Sequence, residues 1–515
     1  MSEQQKGHPK GLYVLFFTEM WERFSYYGMR AILVLFMTKM LAFDKQFASG
    51  IYGNFTALVY LTPLIGGFIS DRYLGNRKSI FAGGITMAIG QFVLFFAASF
   101  VHTNMSLTQT LFVVGLVALV IGNGLFKPNI STMVNQLYAP GDKRVDAAFS
   151  IFYMGINLGA FFSPLICGSL AEKVDYKWGF FAAGVGMTCG LIVFQLLKNK
   201  YIVTADGQQI GVTPNKSVVR EEVTKDAKSS PGEVKAAEFS ATRVGLWLVI
   251  YAALWFVFMF LVGFNWISTL VFATSLAAAG FIITDPTLTK VERDRIVVIY
   301  IAAFFVIFFW SAFEQAGASL TIFADQQTER HIFGWEMPAS WFQSVNPLAI
   351  IVFAPLFAGL WTGLGKRNME PSSPVKQAIG LFLLCIGYFV IAVGVKGVDA
   401  ATKASIFWLL GMYVLHTFGE LCLSPIGLSM VARLSPARLA SLLMGVWFLA
   451  NAMANDFAGM LSKLYPEPGK STSFFGHAVN NLNDFFMIFV LLSGVAAIVL
   501  FLLSKKMLKL MHGLR

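Results

Sequence analysis

The chain has 515 residues, of which 56% are apolar and only 13% charged, with 51 phenylalanines and a net charge of +11. A soluble domain averages about a quarter charged residues, so this composition excludes a water-soluble globule. The positive charge sits in short connectors between apolar stretches, not interleaved with aromatics, which argues against nucleic-acid binding.

The four cysteines, Cys167, Cys189, Cys385 and Cys422, lie inside apolar stretches without a CxxC pair. Neither a disulfide framework nor a zinc site is expected. A spanning helix needs about 20 mostly apolar residues, and fourteen such stretches follow one another.

The first, 12–40, is too long and too charged for a cleavable leader and reads as a retained span. It contains TEMWERFSYYGMRAILVLF, in which Glu19, Glu22, Arg23, Tyr26 and Arg30 recur at spacings of three and four. They share one helical stripe, bordered by Tyr27. A charge at mid-bilayer costs roughly 2.5–3.5 kcal/mol, so the stripe must face a partner or water.

Spans 51–71 and 79–100 flank the connector GGFISDRYLGNRK. Its Gly66 and Gly67 permit close packing. Asp71, Arg72 and Arg77 stand at the expected cytoplasmic end and look like the major facilitator signature, where charges clip an inner gate. Span 107–137 carries GNGLFKPNIS, where Pro128 removes a backbone hydrogen bond and favours a kink that aims Lys127 at the bundle centre. Span 145–171 holds Asn157 between Gly155 and Gly159, and 178–198 closes the first six.

Residues 199–243 form one long connector rich in charge, Ser and Pro, expected to be solvated and flexible, with packing on the cytoplasmic face as the alternative, and to carry no site. Spans 244–263 and 266–284 carry almost no ionisable residues and read as a lipid-facing hairpin joining two halves. Spans 296–324, 340–364, 375–395, 404–432, 438–464 and 482–504 complete the chain.

Glu314 and Glu420 each stand isolated in apolar sequence and need a cation or a proton; the best cations are Arg23, Arg30 and Lys127. His416, one turn before Glu420, reads as a packed polar residue. Trp310 shares a face with Glu314, and Trp447 with Asn451; Gln343 and Asn346 open 340–364. Aromatic walls with amides suit an amphipathic ligand.

The expected fold is all-α and polytopic, a major facilitator architecture of fourteen transmembrane helices whose site lies between two six-helix bundles. Its parts are 1–200, the N-terminal bundle; 201–243, a cytoplasmic polar loop; 244–289, two extra helices; and 290–515, the C-terminal bundle. Lys and Arg crowd alternate connectors, among them Arg72, Arg77, Lys78, Arg293, Arg433 and Lys505. By the positive-inside rule both termini are cytoplasmic.

Together these motifs resemble the proton-dependent oligopeptide transporter family, from about residue 12 to residue 504. The pattern ExxERFxYY is met by Glu19, Glu22, Arg23, Phe24, Tyr26 and Tyr27, and FYxxINxG by Phe152, Tyr153, Ile156, Asn157 and Gly159. FKPN around Lys127, FEQ at 313–315, WFQSxNP at 341–347 and GExxLSPxGLS at 419–429 agree with it.

The resemblance implies uptake of di- and tripeptides and peptidomimetics across a bacterial inner membrane by alternating access. Protons would be the coupling ion, no cofactor or metal is implied, and the lipid-embedded chain is taken to act as a monomer. It also implies residue roles. Glu19, Glu22, Arg23 and Glu314 would couple protons. Arg30 with Glu314, and Lys127 with Glu420, would form opposed charge pairs.

Arg30 and Lys127 would hold the peptide carboxylate, and Glu420 with Asn157 and Asn346 the amino end. Tyr26, Tyr27, Tyr60, Trp310 and Trp447 would line the pocket, with Asn451 beside them. Some relatives carry a histidine near the outer end of the second span. This chain has Gly53 and Asn54 there, which moves proton handling onto carboxylates, Glu22 and Glu314 above all.

The alternatives are the same fold carrying nitrate or a drug-like solute, a membrane enzyme, a passive channel, and a peptide sensor. No HExxH, Ser-His-Asp context or phosphate loop supports the enzyme.

Overall fold

The computed structural model describes residues 7–139, 142, 144–204, 207–213, 240–398, 402–467 and 469–514. Fourteen helices carry these described residues. They are α1 (Lys10–Lys39), α2 (Lys45–Leu74), α3 (Asn76–Ser99), α4 (Met105–Gln136), α5 (Val145–Lys173), α6 (Tyr176–Tyr201) and α7 (Ala241–Leu261). There follow α8 (Trp266–Ile283), α9 (Lys290–Gln326), α10 (Ala339–Lys366), α11 (Ser373–Gly394), α12 (Ile406–Leu434), α13 (Ala440–Ser462) and α14 (Leu482–Leu510).

Each predicted span falls on one of them. Twelve are long and apolar enough to cross a membrane. The other two, α1 and α13, are diluted by the charged stripe on α1 and by Asn451, Asn455 and Asp456 on α13.

The chain divides into two compact units that do not follow chain order strictly. The first gathers residues 1–44, 62–219 and 330–351; the second gathers 45–61, 220–329 and 352–515. The start of α2 thus counts with the second unit, and the start of α10 with the first.

In the first unit α1 packs on α5 and α6, and α3 on α4 and α6. Small residues on the neighbours admit the bulky side chains of α1. A Cβ on Gly190 of α6 would lie 2.9 Å from Trp21 Cβ, and one on Gly28 of α1 would lie 2.6 Å from Cys167 Sγ. This is the small-residue packing that membrane helices use where lipid supplies no hydrophobic drive.

In the second unit α11 packs on α12 and α14, and α9 on α13 and α14. α7 has no buried residue, as expected of a lipid-facing helix. α8 differs from that expectation. Ser268, Thr269, Val271, Ala273, Ser275 and Ile282 are buried on it, and it packs on α13. Val271 joins Ala57 and Leu61 of α2 and Leu449 and Ala452 of α13 in one apolar cluster.

Beyond α8, Asp285 ties α7 and α8 together. Its Oδ2 lies 3.3 Å from Arg243 Nη1, and its Oδ1 accepts from Thr287 Oγ1 at 2.7 Å and Thr287 N at 2.9 Å. Burial pushes the Asp285 carboxyl up, but the Thr287 hydrogen bonds and the Arg243 charge hold it below its ordinary value.

At its start the connector after α6 is packed and not loose. Residues 202–204 and 207–213 fold back onto Arg77 of α3, which is only 5% exposed. Arg77 Nε donates to Ile210 O and Nη2 to Ile202 O, both at 2.5 Å. Nη2 also reaches Lys198 O at 3.3 Å, while Nη1 donates to Asn199 Oδ1 at 2.9 Å and Gln209 Oε1 at 3.1 Å.

Gly75, at φ 75°, makes the turn into α3, and a Cβ there would strike the Val212 carbonyl. The rest of the loop, 214–239, lies outside the described residues.

Candidate functional site

Two groups of buried polar side chains occupy membrane depth, one in each unit. In the first unit, Glu19, Glu22, Arg23, Tyr26 and Arg30 all lie on the buried face of α1, as their spacing predicts. Arg23 Nε is 3.0 Å from Glu19 Oε1 and 2.5 Å from Glu22 Oε2. One guanidinium is therefore shared by two carboxylates.

Glu22 Oε1 accepts from Asn123 Nδ2 of α4 at 3.2 Å. Lys127, one turn beyond Asn123, acts electrostatically on both Glu19 and Glu22. The tyrosines complete the cluster: Arg23 Cζ lies 5.8 Å from the Tyr26 ring centre and 6.0 Å from that of Tyr27, and Arg30 Cζ lies 4.9 Å from Tyr27. These are cation–π distances.

The neighbours explain why this face stays in place. A Cβ on Gly159 of α5 would collide with the Met20 carbonyl and lie 3.1 Å from Arg23 Cβ, so α5 closes directly against Arg23. Asn157, two residues earlier, is buried and donates to its own helix at Tyr153 O, 2.9 Å away. On α4, Pro128 leaves the Gly124 carbonyl without its intrahelical donor, and Gly66 of α2 packs against that carbonyl.

Asn346 and Gln343 open α10, which enters the first unit as a 3-10 turn over Ala339–Ser344. Glu172 of α5 caps that turn, accepting from Ala339 N at 2.7 Å and Ser340 N at 2.9 Å. Of the gate motif, Asp71 and Arg72 are exposed on a π-helical turn, Ser70–Leu74. Arg77 is occupied by backbone and amide oxygens, a different role from the expected charge clip.

In the second unit, Glu314 is 4% exposed and sits where α9 changes pitch. The α-helix ends at Phe313, a 3-10 turn covers Glu314–Gly317, and helix resumes over Ser319–Gln326. Trp310 packs edge-on to Phe313 at 5.1 Å. Glu420 is 7% exposed on α12. His416, one turn before it, packs against the Tyr388 ring at 4.7 Å, which agrees with a packed polar role.

Trp447 of α13 is buried against Gly427 of α12, and Asn451 Nδ2 reaches Trp447 O at 3.4 Å. Tyr60 packs on the apolar cluster shared by α2, α8 and α13.

Several buried polar residues have no role assigned to them by the sequence. Gln91 of α3 is fully buried and donates to Ser25 O and Ser25 Oγ, both at 3.1 Å. Gln315 Nε2 donates to Ser311 O and Ala458 O at 3.0 Å, while its Oε1 accepts from Ser319 Oγ and Ser462 Oγ at 2.5 and 2.6 Å. Asn123 was discoverable, because it precedes Lys127 by four on the same helix face. Asp456 of α13, 2% exposed, was not singled out either.

The arrangement has known counterparts. The model of the PTR2, or POT, family matches residues 77–480. A peptide transporter of Yersinia enterocolitica, YePEPT, is 35% identical over 473 residues, covering 88% of each chain. A di-/tripeptide transporter of Lactococcus lactis subsp. cremoris is 31% identical and spans 99% of this chain and 98% of its own.

Among solved structures, a peptide transporter POT in complex with sulfate superposes with a TM-score of 0.79 at 32% identity, over 99% of this chain and 97% of that one. A POT family transporter in complex with 5-aminolevulinic acid gives a TM-score of 0.78 at 30% identity, over 98% of both. The fold is that of the major facilitators, and the chain belongs to the POT family of multi-pass membrane transporters.

Proposed function

We propose that the protein imports di- and tripeptides across a bacterial inner membrane by proton-coupled alternating access. Both termini are cytoplasmic, the working unit is a monomer, the proton is the coupling ion and no cofactor takes part. The observation that carries this reading is the buried cluster of Glu19, Glu22 and Arg23 with Asn123 and Lys127.

Its charges are two carboxylates and two cations, so with both acids ionised it is neutral. A proton bound to either acid leaves the cluster with one net positive charge. Buried charge without a counter-ion is costly, so a protonated cluster favours an incoming carboxylate. Proton and peptide thus stabilise each other, and together they shift the inward–outward equilibrium. The zwitterion with its proton carries one net charge inward, which the membrane potential drives with about 2.3 kcal/mol per 100 mV.

In this cycle Arg30 and Lys127 hold the peptide carboxylate. Glu420, Asn157 and Asn346 hold the amino end, and Tyr26, Tyr27, Tyr60, Trp310, Trp447 and Asn451 form the walls. Arg30 with Glu314, and Lys127 with Glu420, exchange partners as the proton binds. Peptidomimetics with the same two end charges share the site.

The relative bound to 5-aminolevulinic acid favours a second reading: small molecules that carry an amine and a carboxylate without a standard peptide bond. Uptake of a labelled dipeptide into proteoliposomes under an imposed proton gradient tests the main reading. Unlabelled tripeptide, 5-aminolevulinic acid, a single amino acid and nitrate serve as competitors. Uphill dipeptide uptake blocked by tripeptide is expected; uptake that never exceeds equilibration, or competition by nitrate alone, sinks it.

A further inference from the structure

α13 holds a carboxylate that the cluster on α1 does not use. Asp456 is 2% exposed, six residues before the end of its helix. Its Oδ1 accepts a hydrogen bond from Ser268 Oγ of α8 at 3.1 Å. Its Oδ2 is buried and has no hydrogen-bond partner among the described residues.

Charged and titratable groups stand on every element around it except α8. They include Lys45 and Tyr52 on the start of α2, Glu314 and Asp325 on α9, Tyr413, His416 and Glu420 on α12, and Lys463 just past the end of α13. Of these only Lys463, two turns along the helix, acts on it electrostatically. Its surroundings pull in two directions. Burial without an adjacent cation disfavours the charged form. The first turn of α8, where Ser268 sits, presents the positive end of a helix dipole and favours it.

The same junction includes the part of α2 that counts with this unit. Asn265, the N-cap of α8, donates from Nδ2 to Asn54 Oδ1 at 3.3 Å. One turn past Asp456, Gly459 meets Gly53 so closely that a Cβ on either would lie 2.6 Å from the other's Cα. Asp456 is therefore sealed by α8 and lies beside a backbone contact that any separation of α2 from α13 must break.

We propose that Asp456 is a second proton-binding carboxylate of the transport cycle, with Ser268 of the inserted hairpin as its positioning residue. The inference rests on the symport reading. Asp456 takes a proton from water on the side where α2 parts from α13, holds it, hydrogen-bonded to Ser268, while that junction is closed, and releases it to water on the opposite side before the junction reopens. No other group changes its covalent state. The inserted helices then act as a wall of a proton site and not only as a tether.

The test uses the full-length protein in proteoliposomes. The proton-to-peptide ratio is read from the peptide gradient that balances an imposed proton gradient, together with the pH profile of uptake. Wild type, Asp456→Asn, Asp456→Glu and Ser268→Ala are compared. The expected result is loss of one proton per peptide and a flattened pH profile in Asp456→Asn, restoration of both in Asp456→Glu, and a shifted profile with unchanged ratio in Ser268→Ala.

An unchanged ratio and profile in Asp456→Asn overturns the proposal. If that variant does not fold, an unmoved profile in Ser268→Ala overturns it instead. Failure of wild type to accumulate peptide is a separate outcome, which sinks the symport reading itself.

Discussion

Over a membrane-length stretch α1 and α13 are the most polar of the fourteen described helices, and they handle that polarity differently. α1 places opposite charges one turn apart, so that Arg23 serves Glu19 and Glu22 at once. α13 folds its amides onto its own backbone, Asn451 to Trp447 O and Asn455 to Asn451 O at 2.9 Å. It leaves Asp456 to a serine from α8.

A shared cation makes each member of a cluster indispensable. Backbone capture makes each amide almost neutral in energy, because a hydrogen bond to the helix's own carbonyl adds little.

That contrast is most easily broken at Arg23. Arg23→Ala leaves two buried carboxylates without their guanidinium, a change that costs about 3–5 kcal/mol. The thermal midpoint in detergent should fall steeply and peptide accumulation should vanish, whereas Asn451→Ala on α13 should barely move the midpoint. Glu22→Gln removes the protonatable group while keeping the Asn123 contact within reach. It should keep the fold and lose uphill, pH-driven uptake; retained accumulation would show that Glu22 carries no proton.

Next comes Gly459→Ala, which forces α2 away from α13 at a backbone contact. Overpacking of this kind costs about 1–3 kcal/mol, and a cysteine introduced at Asn54 should become more reactive to aqueous thiol reagents. Arg77→Lys keeps the charge but loses the planar fork that reaches Ile202, Ile210, Asn199 and Gln209 together. Limited proteolysis within 202–213 should accelerate while transport persists.

The smallest effect is at Asp285. Its folded carboxyl sits below the ordinary aspartate value of about 3.9. Its contact with Arg243 and Thr287 therefore adds stability above that pH and loses it only as pH falls through the folded value. Asp285→Asn should lower the thermal midpoint slightly at neutral pH and leave it unchanged in strong acid.

The spans and the charged stripe were legible in the sequence, because both are statements about composition and period within one helix. What stayed hidden depends on partners far along the chain. Arg77 reads as a gate charge until the carbonyls of 202–210 are found around it, and carbonyls leave no mark on residue type. Glu172 looks like a connector charge and turns out to cap a turn more than 160 residues away.

Asp456 was easy to overlook among Ala, Met and Asn, since a lone acid has no periodic companion. α8 resembled α7 in composition; only its small hydroxyl residues, which admit the neighbours, separate a docked helix from a bare one.

The change of pitch at Glu314 has a mechanical consequence. Within that turn Gln315 bonds both pieces of α9, through Ser311 and Ser319, and ties the turn to Ala458 and Ser462 of α13. The longer piece, Lys290–Phe313, packs along α13 and α14 in its own right and meets the shorter piece, Ser319–Gln326, at the 3-10 turn that begins with its acidic residue. A change of angle between the two pieces is taken up at that turn, so Glu314 stands where the backbone of α9 is already broken.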